Sequence, residues 1–162
     1  MATLHHVTIY TDGACLGNPG PGGYGVVLLH GDHRKELSGG YRLTTNNRME
    51  LTAAIKGLAA LKKPCEGELF SDSAYVVNAV EQGWARRWRA NGWHRPNKQR
   101  AENRDLWEEL LKLYERHRIR FKWIKGHAGH AENERCDQLA CEAARLPNLL
   151  ADTGYEESLV HA

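Results

Sequence analysis

Two segments of β-type composition, each ending near an aspartate and separated by one helical pattern, constrain the fold of this chain most. The first is HHVTIYTDGA at 5–14 and the second is GELFSDS at 67–73. A strand–helix–strand connection is almost always a right-handed crossover between parallel strands. We therefore expect Asp12 and Asp72 to lie at the same edge of a sheet. The apolar residues of the intervening helix recur at spacings of three and four: Leu51, Ala54, Ile55, Leu58 and Leu61.

The first strand is expected to open an antiparallel meander. CLGNPGPGGYG at 15–25 has the glycine and proline content of a turn. GVVLLHG at 25–31 and RKELSGGYRL at 34–43 then have the composition of two strands around a short polar turn. Three antiparallel strands are therefore predicted before the helix, and the helix is expected to end near Lys63, before a proline.

The second half of the chain combines further helices with one more strand. In the strand RIRFKWIKG at 118–126, Ile119, Phe121 and Trp123 alternate with basic residues, which predicts one buried face. The order of elements predicts an α/β fold with a five-stranded mixed sheet, made of a three-strand antiparallel meander plus parallel strands and flanked by helices. The tail at 146–162 has no strong pattern and is expected to be loosely attached. The helical patterns cover 73–83, 103–117 and 133–146.

Length and composition favour one domain covering residues 1–162. A chain of 162 residues is long enough to bury a core. It has no apolar run near the roughly 18 residues of a membrane span, and its N-terminus lacks the layout of a signal peptide. The four cysteines include no CxxC pair, which argues against a zinc site and against disulfides. We expect a cytoplasmic monomer with no membrane contact and no obligatory protein partner.

Positive charge is concentrated in one segment, 84–101. This segment has six Lys and Arg residues and no acid, whereas the rest of the chain has 16 basic and 20 acidic residues. A basic segment on an otherwise acidic body indicates a polyanionic partner. The interleaved Trp84, Trp88 and Trp93 could stack on sugars, but at a spacing of four the first two are more often packing residues. The cations are Arg86, Arg87, Arg89, Arg95, Lys98 and Arg100.

Four acids are placed differently from those on polar helix faces: Asp12, Glu50, Asp72 and Asp137. Singly, each has a structural explanation: a strand-end turn for Asp12 and Asp72, a capping box with Asn47 as N-cap for Glu50, and a solvated helix edge for Asp137. Together, four nearby carboxylates would repel one another unless cations neutralised them. Two Mg²⁺ ions supply four positive charges and prefer oxygen ligands. Such a pair, about 3.5–4 Å apart, can stabilise the attacking and leaving oxygens of a phosphoryl displacement.

A polar loop, GHAGHAENE, precedes the last helix and contains His127, ten residues before Asp137. A loop histidine is usually just solvated. In a carboxylate site, however, a mobile imidazole suits proton delivery to a leaving alkoxide. Both readings stay open from spacing alone.

Four segments together resemble the signature blocks of type 1 ribonuclease H, the bacterial ribonuclease HI family: YTDGACLGNPGPGGYG, TTNNRMEL, SDSAYV and WIKGHAGHAENERCDQLA. They occur in the family's order, and the similarity extends from about residue 5 to residue 155. The resemblance implies a ribonuclease H-like fold and an endonuclease that cleaves the RNA strand of RNA–DNA hybrids by two-metal-ion catalysis, leaving 5′-phosphate and 3′-hydroxyl ends. It also implies Mg²⁺ as the cofactor, with two ions in the catalytic complex and Mn²⁺ as an alternative.

The resemblance assigns roles to individual residues. The metal-binding acids match Asp12, Glu50, Asp72 and Asp137, with Asp12 expected to bridge both ions. His127 matches the loop histidine that assists proton transfer or product release. A groove that distinguishes RNA from DNA needs partners for the 2′-hydroxyl, although Asn is also common in turns and caps. Positions matching the substrate groove are Gly13, Cys15, Asn18, Asn46 and Asn47; those matching the DNA-phosphate pocket are Thr45 and Asn103; those in the basic protrusion at 84–101 are Trp84, Arg86, Arg87, Trp88 and Arg89.

Three positions depart from the family pattern. Ala74 stands where many bacterial members have Gln, Leu43 where they have Arg, and Glu102 where a Lys often precedes the Asn. Arg42 is displaced by one from the expected position, and a strand residue displaced by one points to the other face. None of these residues is a metal acid, so we expect activity with altered substrate affinity. Two alternatives are a hybrid-binding module without catalysis and another nuclease or integrase-like function on DNA.

Overall fold

The predicted sheet forms around the first strand in a computed structural model that describes residues 4–94 and 100–160. The meander is antiparallel, and the last two strands join it in parallel. The order in the sheet is β3-β2-β1-β4-β5, which confirms the predicted mixed sheet. The strands are β1 His5–Cys15, β2 Gly20–His30, β3 His33–Thr44, β4 Cys65–Ser71 and β5 Arg118–Trp123.

Helices cover both faces of the sheet. The first helix packs on β1 and β2, and the fourth helix packs on the first. The fifth helix packs against β1, β2 and β3. The first helix ends at Ala59, before the predicted Lys63. Across residues 4–94 and 100–160, none of the helices is long and apolar enough to span a bilayer. The helices are α1 Asn46–Ala59, α2 Ala74–Glu81, α3 Trp84–Ala90, α4 Arg104–Tyr114, α5 Ala131–Ala144 and α6 Thr153–Val160.

The glycine-rich stretch predicted as a turn is largely a strand. β2 already begins at Gly20, and its glycines lie beneath α5. A Cβ at Gly23 would come 2.2 Å from the Ala140 carbonyl oxygen, and one at Gly25 would come 2.2 Å from that of Cys136. Glycine within a strand allows another backbone to approach closely. The prediction was wrong because the composition reflects helix–sheet packing rather than chain reversal.

The alternation predicted for β5 holds for two of its three apolar residues. Ile119 and Phe121 are buried in the main core. Trp123 is 54% exposed, so its predicted burial was wrong. The strand ends at this residue, and its indole instead donates a hydrogen bond to the Asp72 carbonyl oxygen at 3.0 Å.

The tail is held by ion pairs, and the expectation of loose attachment was wrong for its described part. Asp152 is buried, accepts a hydrogen bond from Thr44 Oγ1 at 2.7 Å and pairs with Arg48 Nε at 2.8 Å. Arg42 pairs with Glu156 at 2.8 Å. These contacts join polar and charged residues that are far apart in the chain, so no local apolar pattern predicts them.

Candidate functional site

Strand register brings the two aspartates of β1 and β4 together. The parallel β1–β4 ladder ends with Tyr10 opposite Phe70. Asp12 and Asp72 each lie two residues further on, at the carboxyl end of β4, where open α/β sheets bind ligands. Asp12 is not at a strand end as predicted, because β1 continues and pairs it with Gly25 of β2.

Glu50 reaches these aspartates from the second turn of α1, and its predicted capping box does not form. The N-cap is Thr45, whose Oγ1 accepts a hydrogen bond from Arg48 N at 3.2 Å. Asn47 therefore lies inside the helix, and Glu50 is two positions too late for a capping box. Glu50 is buried, and its carboxylate accepts a hydrogen bond from Gly13 N. A Cβ at Gly13 would come 2.5 Å from Glu50 N, so this approach of β1 to α1 requires glycine.

Three of the four predicted metal acids converge tightly. Asp12, Glu50 and Asp72 each offer a carboxylate oxygen within 4.8 Å of the others. Asp137 lies outside this group but lines the same cleft of about 570 Å³, as does His127. The Gly13 N–H lies against both Asp12 and Glu50, and it is 2.9 Å from Asp12 Oδ1. We refer to the four acids as the acid cluster.

Burial and mutual repulsion favour the protonated forms of two members of the acid cluster, Asp12 and Glu50. Burial is the main cause that raises the pKa of Asp12 to about 8, and the charges of Asp72 and Asp137 act in the same direction. Burial and the neighbouring Asp12 also raise the pKa of Glu50 well above its ordinary value. Divalent cations would remove this repulsion, and carboxylate oxygens are the ligands that hard cations prefer. The residues present therefore fit a metal site.

The loop after β5 packs against Asp72 and carries His127. A Cβ at Gly126 would come 2.5 Å from Asp72 Oδ2, so the loop backbone lies directly over this carboxylate. His127 is exposed and has a left-handed backbone conformation, with φ of 56°. Its imidazole is thus on the solvent side of the cleft, where a leaving group could be reached.

The predicted substrate residues line two adjoining clefts. Gly13 and Cys15 line the cleft of the acid cluster. Ala74, one of the three positions that depart from the family pattern, lines it too. A second cleft of about 810 Å³ has Glu102 in its wall. Asn46 and Asn47 line both, so the start of α1 separates them. The predicted residues found only in the second cleft are Asn18, Thr45 and Asn103.

The basic helix α3 divides into exposed and packed residues. Arg86 and Arg87 are exposed, and Trp84 is 39% exposed. Trp88 is buried, with its ring edge-to-face on Trp107 at 5.9 Å. The prediction of Trp88 as a substrate contact was therefore wrong, and the packing alternative holds.

Two further parts of the basic segment bear on the predicted protrusion. Arg89 pairs with Glu115 at 2.8 Å, which partly neutralises its charge. Arg95 and Lys98 fall in 95–99, outside the residues that the structure describes. Support for phosphate contacts in the described part therefore rests on the exposed Arg86, Arg87 and Arg100.

Sequence reasoning missed Arg48, which organises the second cleft. Its guanidinium is buried and pairs with Asp152 and with Asp105, the latter at 2.7 Å. Its Nη1 also donates to Asn103 Oδ1 at 3.4 Å. A cation in the first turn of a helix is unfavourable toward the helix dipole. That conflict was the signal in the sequence that acidic partners must lie nearby.

The structure explains where the displaced arginine of the predicted DNA-phosphate pocket goes. Arg42, displaced by one from the family position, extends toward the tail and pairs with Glu156. Leu43 is half-buried in its place. The second cleft therefore lacks the β3 arginine of the family pattern, while Thr45 and Asn103 line it together with Arg48 and Arg104.

Comparison with known proteins gives consistent results for sequence and structure. The family model for RNase H matches residues 5–145. A protein named Ribonuclease H from Syntrophus aciditrophicus (strain SB) is 68% identical over 92% of this chain and 86% of its own length. Another of the same name from Desulforamulus reducens is 66% identical over 92% of this chain and 94% of its own length. LC9-RNase H1, a type 1 RNase H with the type 2 active-site motif, has a TM-score of 0.79 at 32% identity, over 97% of this chain and 82% of its own. LC11-RNase H1, solved in complex with RNA/DNA hybrid, has a TM-score of 0.65 at 27% identity. The match covers 85% of this chain and 96% of LC11-RNase H1.

Proposed function

Because this chain belongs to the ribonuclease H family, we propose that it hydrolyses the RNA strand of RNA–DNA hybrids at the acid cluster, leaving 5′-phosphate and 3′-hydroxyl ends. The observation that carries the proposal is the approach of three carboxylates within 4.8 Å beneath a groove of amide side chains. A substrate phosphate would enter this cleft only with its charge neutralised. The proposed cofactor is therefore Mg²⁺, two ions in the catalytic complex, with Mn²⁺ as an alternative.

Asp12, Glu50, Asp72 and Asp137 would hold the ions. The chemistry supplied there would be activation of a water molecule and stabilisation of the leaving oxygen. The chain's own groups set the ligand positions: the Gly13 N–H lies against Asp12 and Glu50, and the loop at Gly126 limits the movement of Asp72. His127, exposed at the mouth of the cleft, would deliver a proton to the 3′ oxygen of the departing RNA or assist product release.

Substrate selection is proposed to come from the groove at the start of α1. Asn46 and Asn47 line both clefts, and Asn18 Oδ1 accepts a hydrogen bond from Asn46 N at 3.1 Å. Amide side chains can both donate to and accept from a 2′-hydroxyl, which distinguishes RNA from DNA. Thr45 and Asn103 in the second cleft would then contact a phosphate of the DNA strand.

The basic helix is proposed to extend this contact. Arg86, Arg87 and Trp84 on the exposed side of α3 would hold further phosphates and sugars without reading the sequence. Cys15 and Gly13 would contact the RNA strand at the floor of the groove. The single domain 1–162, the monomeric state and the cytoplasmic location stay predictions from the sequence.

The proposal is tested by incubating the protein with end-labelled RNA–DNA hybrid, double-stranded RNA and double-stranded DNA, with Mg²⁺ or with EDTA. We expect Mg²⁺-dependent cleavage of the hybrid alone. Binding of the hybrid without cleavage would support the binding-module alternative, and cleavage of DNA would support the integrase-like one. Asp137→Asn should remove activity, whereas Glu134→Gln, on an exposed face of the same helix, should not. Equal loss in both variants would contradict a role specific to the cluster.

A further inference from the structure

The second cleft contains one arginine whose charge faces solvent. Among the described residues in its wall, the basic ones are Arg48 and Arg104. The Arg48 guanidinium is buried and is held by the carboxylates of Asp105 and Asp152. Two negative charges at hydrogen-bonding distance cancel the charge of one guanidinium, so Arg48 offers little attraction to a further anion. The Arg104 side chain, in contrast, is 61% exposed.

The two residues proposed to contact a phosphate in this cleft are neutral. Thr45 Oγ1 accepts a hydrogen bond from Arg48 N at 3.2 Å, so its hydroxyl proton can be donated elsewhere. Asn103 Oδ1 accepts a hydrogen bond from Arg48 Nη1 at 3.4 Å. Hydrogen bonds from a charged donor are roughly twice as strong as those from neutral donors. A phosphate bound by Thr45 and Asn103 alone would therefore keep its charge uncompensated.

Arg104 is ordered by contacts that leave its outer nitrogens available. Its guanidinium carbon lies over the Trp93 ring, 5.8 Å from the ring centroid. Its Nε donates a hydrogen bond to Glu108 Oε1 at 2.8 Å. Within residues 4–94 and 100–160, neither Nη group of Arg104 takes part in a hydrogen bond. Such a pair of groups can donate to two oxygens of one phosphate, and prior ordering of the side chain reduces the entropy lost on binding.

The position of Arg104 is unfavourable for the helix that contains it. It is the first residue of α4, and a cation in the first turn opposes the helix dipole. Its pair with Glu108 has the basic residue on the N-terminal side, which is the weaker orientation at a spacing of four. Both side chains of the pair are exposed, so water screens their attraction. A residue that opposes local preferences is expected where a function requires it.

We propose that Arg104 binds a phosphate of the DNA strand in the second cleft and replaces the β3 arginine of the family pattern. This inference rests on the proposed function, because it requires a hybrid to occupy the cleft. Arg42 does not supply the charge, since it pairs with Glu156 at 2.8 Å, and Leu43 is apolar. The departure at 42–43 therefore moves the positive charge from β3 to the start of α4.

Two acids in the same cleft limit the affinity of this contact. Glu102 and Glu157 line the cleft together with Arg104, and both are exposed. Exposed charges are screened by water and salt, so these acids weaken phosphate binding without preventing it. The expected contribution of Arg104 is therefore modest, about three- to tenfold in hybrid affinity at low salt.

The experiment measures the affinity for a fluorescently labelled RNA–DNA hybrid in EDTA, so that binding is observed without cleavage. Arg104→Gln should bind about three- to tenfold more weakly at low salt, and its salt dependence should fall by about one ion. Arg116→Gln is the matched control, because it makes the same change at an exposed position just beyond α4. The control should bind the hybrid as the wild type does, and equal losses in the two variants would overturn the proposal.

A further variant separates a phosphate contact from a structural role. Glu108→Gln removes the carboxylate that holds Arg104 Nε, and it should bind the hybrid at least as tightly as the wild type. If Arg104 acted only through this pair, Glu108→Gln would weaken binding as much as Arg104→Gln, which would overturn the proposal. If circular dichroism shows that Arg104→Gln fails to fold, Arg104→Lys takes its place. It keeps the charge but loses the two-pronged contact, so affinity should fall with the salt dependence unchanged.

The phosphate is identified with neutral methylphosphonates placed one at a time along the DNA strand. One position should weaken wild-type binding and have no further effect in Arg104→Gln, because both changes remove the same contact. Absence of such a position would overturn the inference and leave the proposed function intact. A hybrid that the wild type binds but does not cleave with Mg²⁺ would overturn the proposed function alone. A hybrid that it neither binds nor cleaves would overturn both.

Discussion

In the absence of metal, Asp12 is predicted to destabilise the protein at neutral pH. Its pKa is raised from 3.8 to about 8, mainly by burial. Between about pH 4 and pH 8, the native protein therefore keeps a proton that the unfolded chain has released. Protons bound in excess by the native state mean that the free energy of unfolding falls as pH rises through this window. Asp12→Asn keeps the shape of the side chain and removes the titration.

The size of the effect follows from the shift. One pKa unit corresponds to about 1.4 kcal/mol. The interval from pH 4 to pH 7 therefore limits the destabilisation caused by Asp12 to about 4 kcal/mol. Asp12 also shares the Gly13 N–H with Glu50, and weakening a buried hydrogen bond costs about 1 kcal/mol. We expect Asp12→Asn to raise the free energy of unfolding by about 2 kcal/mol at pH 7 in EDTA, and by close to zero at pH 4.

The assay is urea unfolding followed by circular dichroism at pH 4 and pH 7 in EDTA, repeated at pH 7 with Mg²⁺. The ion stabilises the wild type by binding its native state, so Mg²⁺ should narrow the gap between wild type and variant. Asp32→Asn, at an exposed position, is the control and should change little. The reasoning is refuted if Asp12→Asn is no more stable than the wild type at pH 7 in EDTA, or if its advantage is the same at pH 4.

Three other predictions concern function and stability. Glu50→Gln keeps an acceptor for Gly13 N, so the melting temperature of the variant should stay the same or rise. Its Mg²⁺-dependent cleavage should fall at least about 100-fold, and retained cleavage would reduce Glu50 to a structural role. Asp152→Asn leaves Arg48 short of one partner and should lower the free energy of unfolding in urea by about 2–3 kcal/mol, whereas no change would mean that Asp105 alone suffices. Arg87→Ala should reduce the salt dependence of hybrid affinity by about one ion with the cleavage rate at saturation unchanged, and an unaltered salt slope would exclude a phosphate contact.

The sequence predicted the mixed sheet because its pairing follows from local rules. Apolar and β-branched composition located the strands, and the handedness of the crossover made β1 and β4 parallel. The convergence of Asp12 and Asp72 followed from those two steps alone. The approach of Glu50 also followed from the helical stripe, although the capping box assigned to it did not form.

The errors share a physical cause, which is contact between distant segments. The glycines of β2 reflect the approach of α5, and the burial of Trp88 reflects its packing on Trp107. Asp152 and Arg48 are 104 residues apart in the chain, so no local pattern links them. Trp123 breaks the strand alternation because the strand ends at this residue and its side chain is 54% exposed.

The acid cluster depends on one feature of β4, its register against β1. Gly67 lies opposite Val7 with φ of 141°, and a Cβ there would come 1.8 Å from the Val7 carbonyl oxygen. Only glycine allows this contact, so it favours the observed alignment over its neighbours. A slip of one residue would turn the side chains of β4 to the other face. Asp72 would then leave the acid cluster, so the same glycine that fixes this alignment is needed to assemble the proposed nuclease site.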